Sequence, residues 1–337
     1  MKHINLILIA IVALLALTVG YFTLGNKRGS LEGYDFNFGV SDTASIQSIY
    51  LFDRSGNKIE LERVNAGEWK VNKNYKARID AVKNLLDCIH DVTLQYRLPR
   101  NAVKNAVESL ATSGIKVEIY NAKKEKIKCY YVGGTNADET ATFFIMENAQ
   151  EPYACHIPSF NGGLRIRYFT EEQDWRDRFL FSLRQDDIQS VEVNYPLQND
   201  ASFIINRKGS DFVVSNMGAG GITKTISANG PVIENYLYNF KHLGIEGFEN
   251  GHPQTDSIRR TMPFVIFKVE TTDGKKSTLK LHPILKKNNE NEILLDEKKS
   301  PIIERFWGEW NGSDLVMVQN HVFKKLFVRA SYFVSKN

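Results

Sequence analysis

The residue types that most often carry protein chemistry are few and scattered in this chain. Its three cysteines, Cys88, Cys129 and Cys155, show no Cys-x-x-Cys spacing, so neither a zinc site nor a disulfide framework is indicated. Cys129 and Cys155 lie in strand-like segments and could pair in an oxidising compartment, but buried free thiols are the favoured interpretation. The seven histidines are isolated from one another, without the spacing of metal ligands.

The sequence contains no motif of a known catalytic or phosphate-binding loop, such as HExxH, GxSxG, a Walker loop or a Rossmann fingerprint. One glycine-rich stretch, Gly218 to Gly221, lacks a following Lys-Ser/Thr and predicts a hairpin tip instead of a phosphate cradle. We therefore predict a protein that is not an enzyme and that needs no cofactor or metal ion. We also expect no dry cleft that brings a histidine or cysteine within hydrogen-bond reach of a carboxylate.

Two tryptophans near the C-terminal end are candidates for recognition. Trp307 and Trp310 lead into an Asn-Gly turn, where an exposed pair could stack on a sugar or grip a partner chain. Packing within a hairpin is the favoured alternative. The candidate interaction residues are therefore Trp307, Trp310, Gly218, Gly220 and Gly221.

The most distinctive charged string, DWRDR, falls between the two halves of the chain. Trp175, Arg176, Asp177 and Arg178 could form a recognition patch, because Trp and Arg are enriched at interface hot spots. The favoured interpretation is structural, with Trp175 filling a seam between two repeats while the charged residues pair around it.

An internal duplication organises these candidates along the chain. IQSI at 46–49 recurs as IQSV at 188–191, Trp69 is matched by Phe212, and residues 116–131 resemble residues 266–281. Three weaker matches continue the series: Pro152 with Pro301, Asn161-Gly162 with Asn311-Gly312, and residues 175–181 with 323–329. Their fixed order predicts two copies of one module, residues 41–184 and 185–337.

Each copy combines strands with a helix. Alternating apolar residues and short turns predict a meander at the start of each copy, and an amphipathic helix follows from Ile79 to Ile89. In copy two, Pro231 is suited to the first turn of the equivalent helix and Gly244 to its end. A shorter helix is expected from Asn101 to Ser113. Strands that outnumber helices and connect by short turns predict an α+β fold with antiparallel sheet.

Composition argues for a folded protein without a nucleic-acid partner. The chain has 337 residues, 43 basic and 39 acidic side chains, and a net charge of +4. These charges nearly cancel, whereas a nucleic-acid surface needs basic residues segregated onto one face. The length is ample for two domains.

The N-terminal stretch predicts a membrane anchor. Residues 4–24 are almost wholly apolar, long enough as a helix to cross a hydrocarbon core of about 30 Å, and are followed by no signal-peptidase site. We expect an uncleaved signal anchor over residues 1–25 and a polar tether over residues 26–40. A short N-terminal tail generally stays cytoplasmic, which predicts an inner-membrane protein whose C-terminal part is periplasmic.

Four strings give the chain a recognisable likeness: GEWKVN at 67–72, YVGG at 131–134, PYACHIP at 152–158 and DWRDR at 174–178. With the anchor and the duplication, they make the chain resemble a family of bacterial envelope proteins of unknown function. The resemblance implies an N-terminal anchor, a repeated extracytoplasmic domain, and a genetic neighbourhood of gliding-type ABC transporter subunits. It carries over no catalytic residues.

Two functional hypotheses follow. The first is a membrane-anchored, non-enzymatic accessory or scaffold protein that binds envelope proteins, with transporter subunits as the partners that the resemblance implies. The alternative is a module that binds envelope glycan or a transported substrate through Trp307 and Trp310. The sequence does not decide the oligomeric state.

Overall fold

The computed structural model describes residues 35–218 and 221–334. The chain folds into two compact units, the first ending at Glu171 and the second beginning at Glu172. The predicted anchor, residues 1–25, lies outside the described residues. Among the helices of the described part, none is long and apolar enough to cross a membrane.

The first unit is built on one antiparallel sheet of nine strands. The strands are β1 (Ile46–Phe52), β2 (Lys58–Asn65), β3 (Glu68–Val71), β4 (Tyr75–Lys76), β5 (Thr93–Arg97), β6 (Ile115–Asn121), β7 (Lys126–Thr135), β8 (Thr142–Met146) and β9 (Tyr153–His156). Their spatial order is β4-β3-β2-β1-β6-β7-β8-β9-β5. The two helices of this unit are α1 (Ile79–Asp91) and α2 (Arg100–Ser113).

The second unit contains another nine-stranded antiparallel sheet and a two-stranded ribbon. Its strands are β10 (Phe179–Phe181), β11 (Ile188–Asn194), β12 (Phe203–Lys208), β13 (Asp211–Gly218), β14 (Gly221–Ile226), β15 (Leu243–Gly244), β16 (Gly247–Phe248), β17 (Val265–Thr271), β18 (Lys276–Leu285), β19 (Ile303–Trp310) and β20 (Asp314–Gln319). Its helices are α3 (Glu172–Trp175), α4 (Gly230–Tyr238), α5 (Thr255–Arg260) and α6 (Asn320–Phe323). The large sheet has the order β14-β13-β12-β11-β17-β18-β19-β20-β16, and β10 pairs with β15.

The two large sheets have one topology. Matching β1 with β11 and continuing outward pairs every strand of the first sheet with one of the second, in the same spatial order. The predicted duplication and the α+β class are thereby confirmed for the described residues. Residues 172–184, which the sequence assigns to the end of copy one, lie in the second unit.

A pair of arginines shows the duplication at the level of atoms. Arg63 donates to the carbonyl oxygens of Ile46 at 2.8 Å and Thr43 at 2.8 Å, and its guanidinium lies 4.6 Å from the ring centre of Trp69. In the second unit Arg207 donates to the carbonyl of Ile188 at 2.9 Å.

Arg207 also donates to the carbonyl of Gln185 and lies 4.5 Å from the ring centre of Phe212. Each guanidinium thus links the backbone at the start of one strand, β1 or β11, to an aromatic ring two strands away, in β3 or β13. We call this arrangement the arginine clasp.

Each sheet has an inner and an outer face. On the inner face of the first sheet, Ile49 and Tyr130 are fully buried, and Tyr168 links Tyr130 to Cys88 of α1 through contacts of 3.3 and 3.5 Å. Helix α2 packs on the outer face over β7 and β8, where Leu110 joins a small apolar cluster. Neither α1 nor α2 covers the rest of that outer face, over β1, β2 and β6.

Many hairpin turns are encoded by an Asp or Asn at their first position. The Oδ1 atom of Asp53 accepts hydrogen bonds from the backbone of Ser55 and Asn57, and Gly56 adopts a φ of +92°. Asn121 accepts in the same way from residues two and four positions later. Such side chains close a type I turn followed by a left-handed residue, which sets the strand register.

Two sequence predictions need correction, one about the tether and one about the end of a helix. Residues 36–40 do not belong to a tether, because Phe38 is fully buried and packs edge-on against Tyr130 and Phe144. Helix α4 begins with Pro231 in its first turn, as predicted, but it ends at Tyr238. Gly244, expected to end that helix, lies in strand β15.

The three weakest sequence matches are also wrong. The strand registers place Tyr130 opposite Met146 and Leu279 opposite Trp310, so Met146 corresponds to Trp310, an offset of 164 (310 − 146). The three matches assumed smaller offsets: 149 (301 − 152), 150 (311 − 161) and 148 (323 − 175). The difference arises because the connection between β18 and β19 spans residues 286–302, whereas the connection between β7 and β8 spans only 136–141.

Candidate functional site

The two predicted recognition tryptophans do not form a shared platform. Both lie in strand β19, three residues apart, and therefore on opposite faces of the sheet. Trp310 packs edge-on against Phe181, 5.2 Å between ring centres, beside the core of the second unit. Trp307 lies on the outer face with its ring centre 4.5 Å from that of His252. Both rings are half-buried, so the pair does not form an exposed aromatic turn, and a role of either residue in interaction stays a prediction.

The glycine-rich stretch forms a hairpin, as predicted. Gly218 ends β13 and is paired with Gly221 at the start of β14. Gly221 has a φ of +109°, a conformation that favours glycine. Gly220 lies outside the described residues, and the role of this tip in interaction stays a prediction.

The DWRDR string packs within the second unit. Trp175 is fully buried in α3, and Arg176 makes a two-pronged ion pair with Asp314, with N···O distances of 2.9 and 2.7 Å. The Arg176 guanidinium also stacks 4.0 Å from the ring centre of Phe248. Asp177 accepts a hydrogen bond from the backbone of Phe179 at 3.2 Å. A role for these residues and Arg178 between the two copies stays a prediction.

Burial and ion pairing shift the pKa of Asp314 in opposite directions. Burial tends to raise the pKa of this carboxyl, but hydrogen bonds from Arg176 and Asn250, together with the Arg176 charge, outweigh that effect and lower it. Asn250 donates to Asp314 at 2.8 Å and accepts from the backbone of Leu315 at 2.8 Å. The group is fully paired and indicates a structural role.

A set of aromatic and charged side chains covers the open outer face of the first sheet. The register across β2, β1 and β6 places Tyr50 directly between Glu60 and Glu118. Tyr50 donates to Glu60 at 3.2 Å, and Tyr120 donates to Glu118 at 2.9 Å. We call this surface the copy-one face; its defining residues are Tyr50, Phe52, Lys58, Glu60, Glu118 and Tyr120.

The rings of the copy-one face form one cluster. Tyr50 and Phe52 are nearly parallel, with ring centres 6.3 Å apart, and Tyr120 meets Tyr50 edge-on at 5.5 Å. The ammonium group of Lys58 lies 5.3 Å from the ring centre of Tyr50 and 5.6 Å from that of Phe52. Burial first, and then the charge and hydrogen bond of Glu60, raise the pKa of Tyr50. The tyrosine therefore remains a neutral donor.

These side chains line a cleft of about 690 Å³. Its walls include three lysines and three glutamates, so the formal charges cancel. A cleft of this size, with aromatic walls and a few fixed polar groups, has the usual dimensions of a small-molecule site. The sequence alone does not indicate this cleft, because its defining residues come from three strands that only the register brings together.

One cluster brings a thiol close to two carboxylates. Cys129 is buried beside Glu118 and Glu147, with the possible ligand atoms of all three within 4.8 Å of one another. Burial and a hydrogen bond with Glu147 raise the pKa of the Cys129 thiol to about 12. Glu118 and Glu147 are only half-buried, so this contact does not lie in a dry cleft, and the expectation about such clefts stays a prediction. A thiol of such high pKa is also a poor nucleophile.

Lysines already neutralise the two carboxylates of this cluster. Lys116 lies 2.6 Å from Glu118, and Lys126 lies 2.7 Å from Glu147. The hydrogen bond from Lys126 is the main reason that the pKa of Glu147 is lowered. Among the described residues this is the one group of three possible metal ligands, and its partners make it a paired ionic cluster. All three thiols of the protein are buried and free.

The second unit has its own addition, a folded arm between β18 and β19. We define the arm as residues 286–302; its backbone forms a small three-stranded arrangement in which Lys286, Leu294 and Ile302 hydrogen-bond to one another at 2.8–2.9 Å. Asn288 and Asp296 close its two turns. The side chains of Ile293 and Leu295 are 45% and 53% exposed. The arm thus presents two apolar side chains, two residues apart, to solvent.

The fold is a duplicated antiparallel α+β module, and residues 69–259 match a family described as a domain of unknown function, DUF4340. The match spans more than half of the chain and covers parts of both copies, and the chain therefore belongs to this family. Comparison with curated proteins finds no match.

Proposed function

We propose that the protein is a non-enzymatic accessory or scaffold protein of the bacterial cell envelope. Residues 1–25 would anchor it in the inner membrane, with both copies on the periplasmic side. The apolar length of that segment and the family resemblance support this arrangement. The resemblance also suggests the machinery that it serves, an ABC-type transporter of the gliding type.

The arm of the second unit is the observation that best supports a protein partner. The two copies share every strand of their large sheets, so the sheet itself does not require an insertion at the β18–β19 connection. The arm is closed by its own turns, is balanced in charge, and presents Ile293 and Leu295 to solvent. We infer that it docks into an apolar groove of an envelope protein.

A loop exchange tests this role. The short connection of copy one, residues 136–141, replaces the arm between Leu285 and Ile303, since it joins the equivalent strands in the first sheet. The full chain is then purified from solubilised membranes, and co-purified proteins are identified by mass spectrometry. We expect the partner to be lost while the thermal unfolding midpoint stays unchanged.

Point variants separate the apolar contact from the arm's charges. Ile293→Ser combined with Leu295→Ser should release the partner, whereas Lys287→Ser combined with Lys299→Ser should retain it. Retention of the same partner after the loop exchange would show that the arm is not the docking element.

The membrane arrangement has its own test. A reporter enzyme that is active only in the periplasm, fused after Asn337, should be active if the anchor exports the C-terminal part. Activity confined to a cytoplasm-dependent reporter would contradict the proposed location. Trp307 and Trp310 cannot together form a glycan platform, because these rings lie on opposite faces of β19.

A further inference from the structure

The aromatic rings of the copy-one face are not needed by the fold. Register places Glu192 of the second unit where the first has Tyr50, and Glu270 where the first has Tyr120. Asn194 likewise takes the place of Phe52. The second unit forms the same strands with these polar residues, so the fold tolerates polar side chains at positions where copy one has aromatic rings.

The tyrosines are held in place before any ligand arrives. Each hydroxyl group donates to a carboxylate on the same sheet face, Tyr50 to Glu60 and Tyr120 to Glu118. A ring fixed in this way loses little rotational freedom when a ligand stacks on it. The carboxylates keep lone pairs for further donors, since each oxygen accepts more than one hydrogen bond.

The charge of the cleft restricts the class of ligand. Three lysines and three glutamates line it, and Glu60 lies 3.6 Å from Lys73. A polyanion would meet the glutamates and a polycation the lysines, so neither gains a net attraction. A neutral ligand rich in hydroxyl groups suits both, because each hydroxyl group donates to a carboxylate and accepts from an ammonium group.

We propose that the copy-one face binds a neutral oligosaccharide, with the apolar face of a sugar ring stacked on Tyr50 and its hydroxyl groups held by Glu60, Glu118 and Lys58. The sugar would displace the Lys58 ammonium group from above the rings. The proposal goes beyond the scaffold function and is independent of the arm.

Isothermal titration of the full chain tests it. The protein is kept in a detergent without a sugar headgroup and titrated with neutral hexasaccharides of glucose, mannose and N-acetylglucosamine. An anionic galacturonate hexamer and a cationic glucosamine hexamer serve as charged comparisons. We expect binding of at least one neutral hexamer and none of the charged ones.

Variants locate the site. Tyr50→Thr and Tyr120→Thr should each weaken binding at least about tenfold, whereas Tyr50→Phe keeps the ring and should retain most of it. Glu192→Tyr in the second unit is the matched control and should leave affinity unchanged. Hydrogen exchange of the unaltered protein should show protection of β1 and β6 on addition of the bound sugar, which does not depend on any variant folding.

Two results would overturn the proposal: no binding of any neutral hexamer at millimolar concentration, or binding that Tyr50→Thr leaves intact. Binding of a charged hexamer alone would overturn it too. The loop exchange that removes the arm should leave sugar binding unchanged, so failure here and failure of the scaffold function are separable.

Discussion

The outer faces of the two large sheets differ between the copies, although the strands are equivalent. In copy one, α2 runs for 14 residues over β7 and β8, and the face over β1 and β6 is aromatic. In copy two, α5 has only 6 residues, and the equivalent face pairs Glu192 with Lys268 at 2.8 Å. The arginine clasps, by contrast, have the same arrangement in both copies. The duplicated scaffold is therefore separable from the surfaces that each copy presents.

One equivalent position on β7 and β18 shows this difference in detail. Gly133 of β7 corresponds to His282 of β18 by register. A Cβ atom on Gly133 would lie 3.1 Å from the side chain of Leu110, so α2 approaches the strand closely because no side chain intervenes. In copy two His282 fills the space instead and hydrogen-bonds to Thr261 at 2.8 Å. At this equivalent position, copy one therefore has a closely packed helix over the strand, and copy two has a buried histidine side chain.

The largest expected effect concerns the assignment of the DWRDR segment to the second unit. Trp175→Ala should lower the free energy of unfolding by about 3–5 kcal/mol, because it removes a fully buried indole ring. Denaturant unfolding of the full chain measures the loss. Hydrogen exchange should show the reduced protection in residues 172–334. A loss of protection confined to residues 35–171 would break the division between the units.

A smaller and symmetrical effect is expected from the arginine clasps. Arg63→Ala and Arg207→Ala each remove charged hydrogen bonds to two carbonyl oxygens and a stacked ring contact. Each should cost about 1.5–3 kcal/mol of stability in its own unit, measured by hydrogen exchange.

Lysine substitutions are the matched controls for the clasps. Arg63→Lys and Arg207→Lys should recover part of the loss, since an ammonium group keeps the charge without the planar fork. Sharply unequal effects of the two alanine substitutions would show that the clasps are alike in geometry but not in energetic importance.

The sequence could predict the duplication but not where it ends. IQSI and IQSV begin equivalent strands, and the Asp and Asn residues at turn positions indicate hairpins from local sequence alone. The arm then displaces all later positions, and chance likenesses such as Asn161 with Asn311 took the place of the true correspondence. Sequence matching cannot detect this, because an insertion is tolerated wherever strand pairing continues beyond it.

The candidate surfaces were harder to predict because they depend on strand register. Trp307 and Trp310 are neighbours in sequence, yet the two-residue period of a strand sends their rings to opposite faces. Tyr50 and Tyr120 are distant in sequence, yet the pairing of β1 with β6 makes their rings touch. The arginine clasps could not be predicted, because Arg63 and Arg207 belong to no sequence motif. The only related signal in the sequence was the match between the aromatic residues Trp69 and Phe212.

The buried histidine of copy two gives the smallest effect and the sharpest difference between the copies. Thr261 donates its hydroxyl hydrogen to the carbonyl of Ile258 at 2.7 Å, so its oxygen accepts from Nδ1 of His282. Nε2 is then unprotonated, and it is buried with no hydrogen-bond partner among the described residues. A proton added there would be an unpaired buried charge.

Burial lowers the pKa of His282, and nearby Lys280 lowers it further, while Glu309 acts in the opposite direction. The unfolded chain therefore takes up the proton first, near pH 6.5, and the folded state only at lower pH. Between these two values the second unit should lose up to about 1.4 kcal/mol of stability per pH unit as the pH falls. Copy one has Gly133 at this position and should not share that component. Hydrogen exchange of both units at pH 7 and below pH 6.5 measures the difference, with His282→Gln as the variant that should remove it. Equal pH dependence in the variant and the unaltered protein would mean that the pKa of His282 is the same in the folded and unfolded states, and that this position does not distinguish the stability of the two copies.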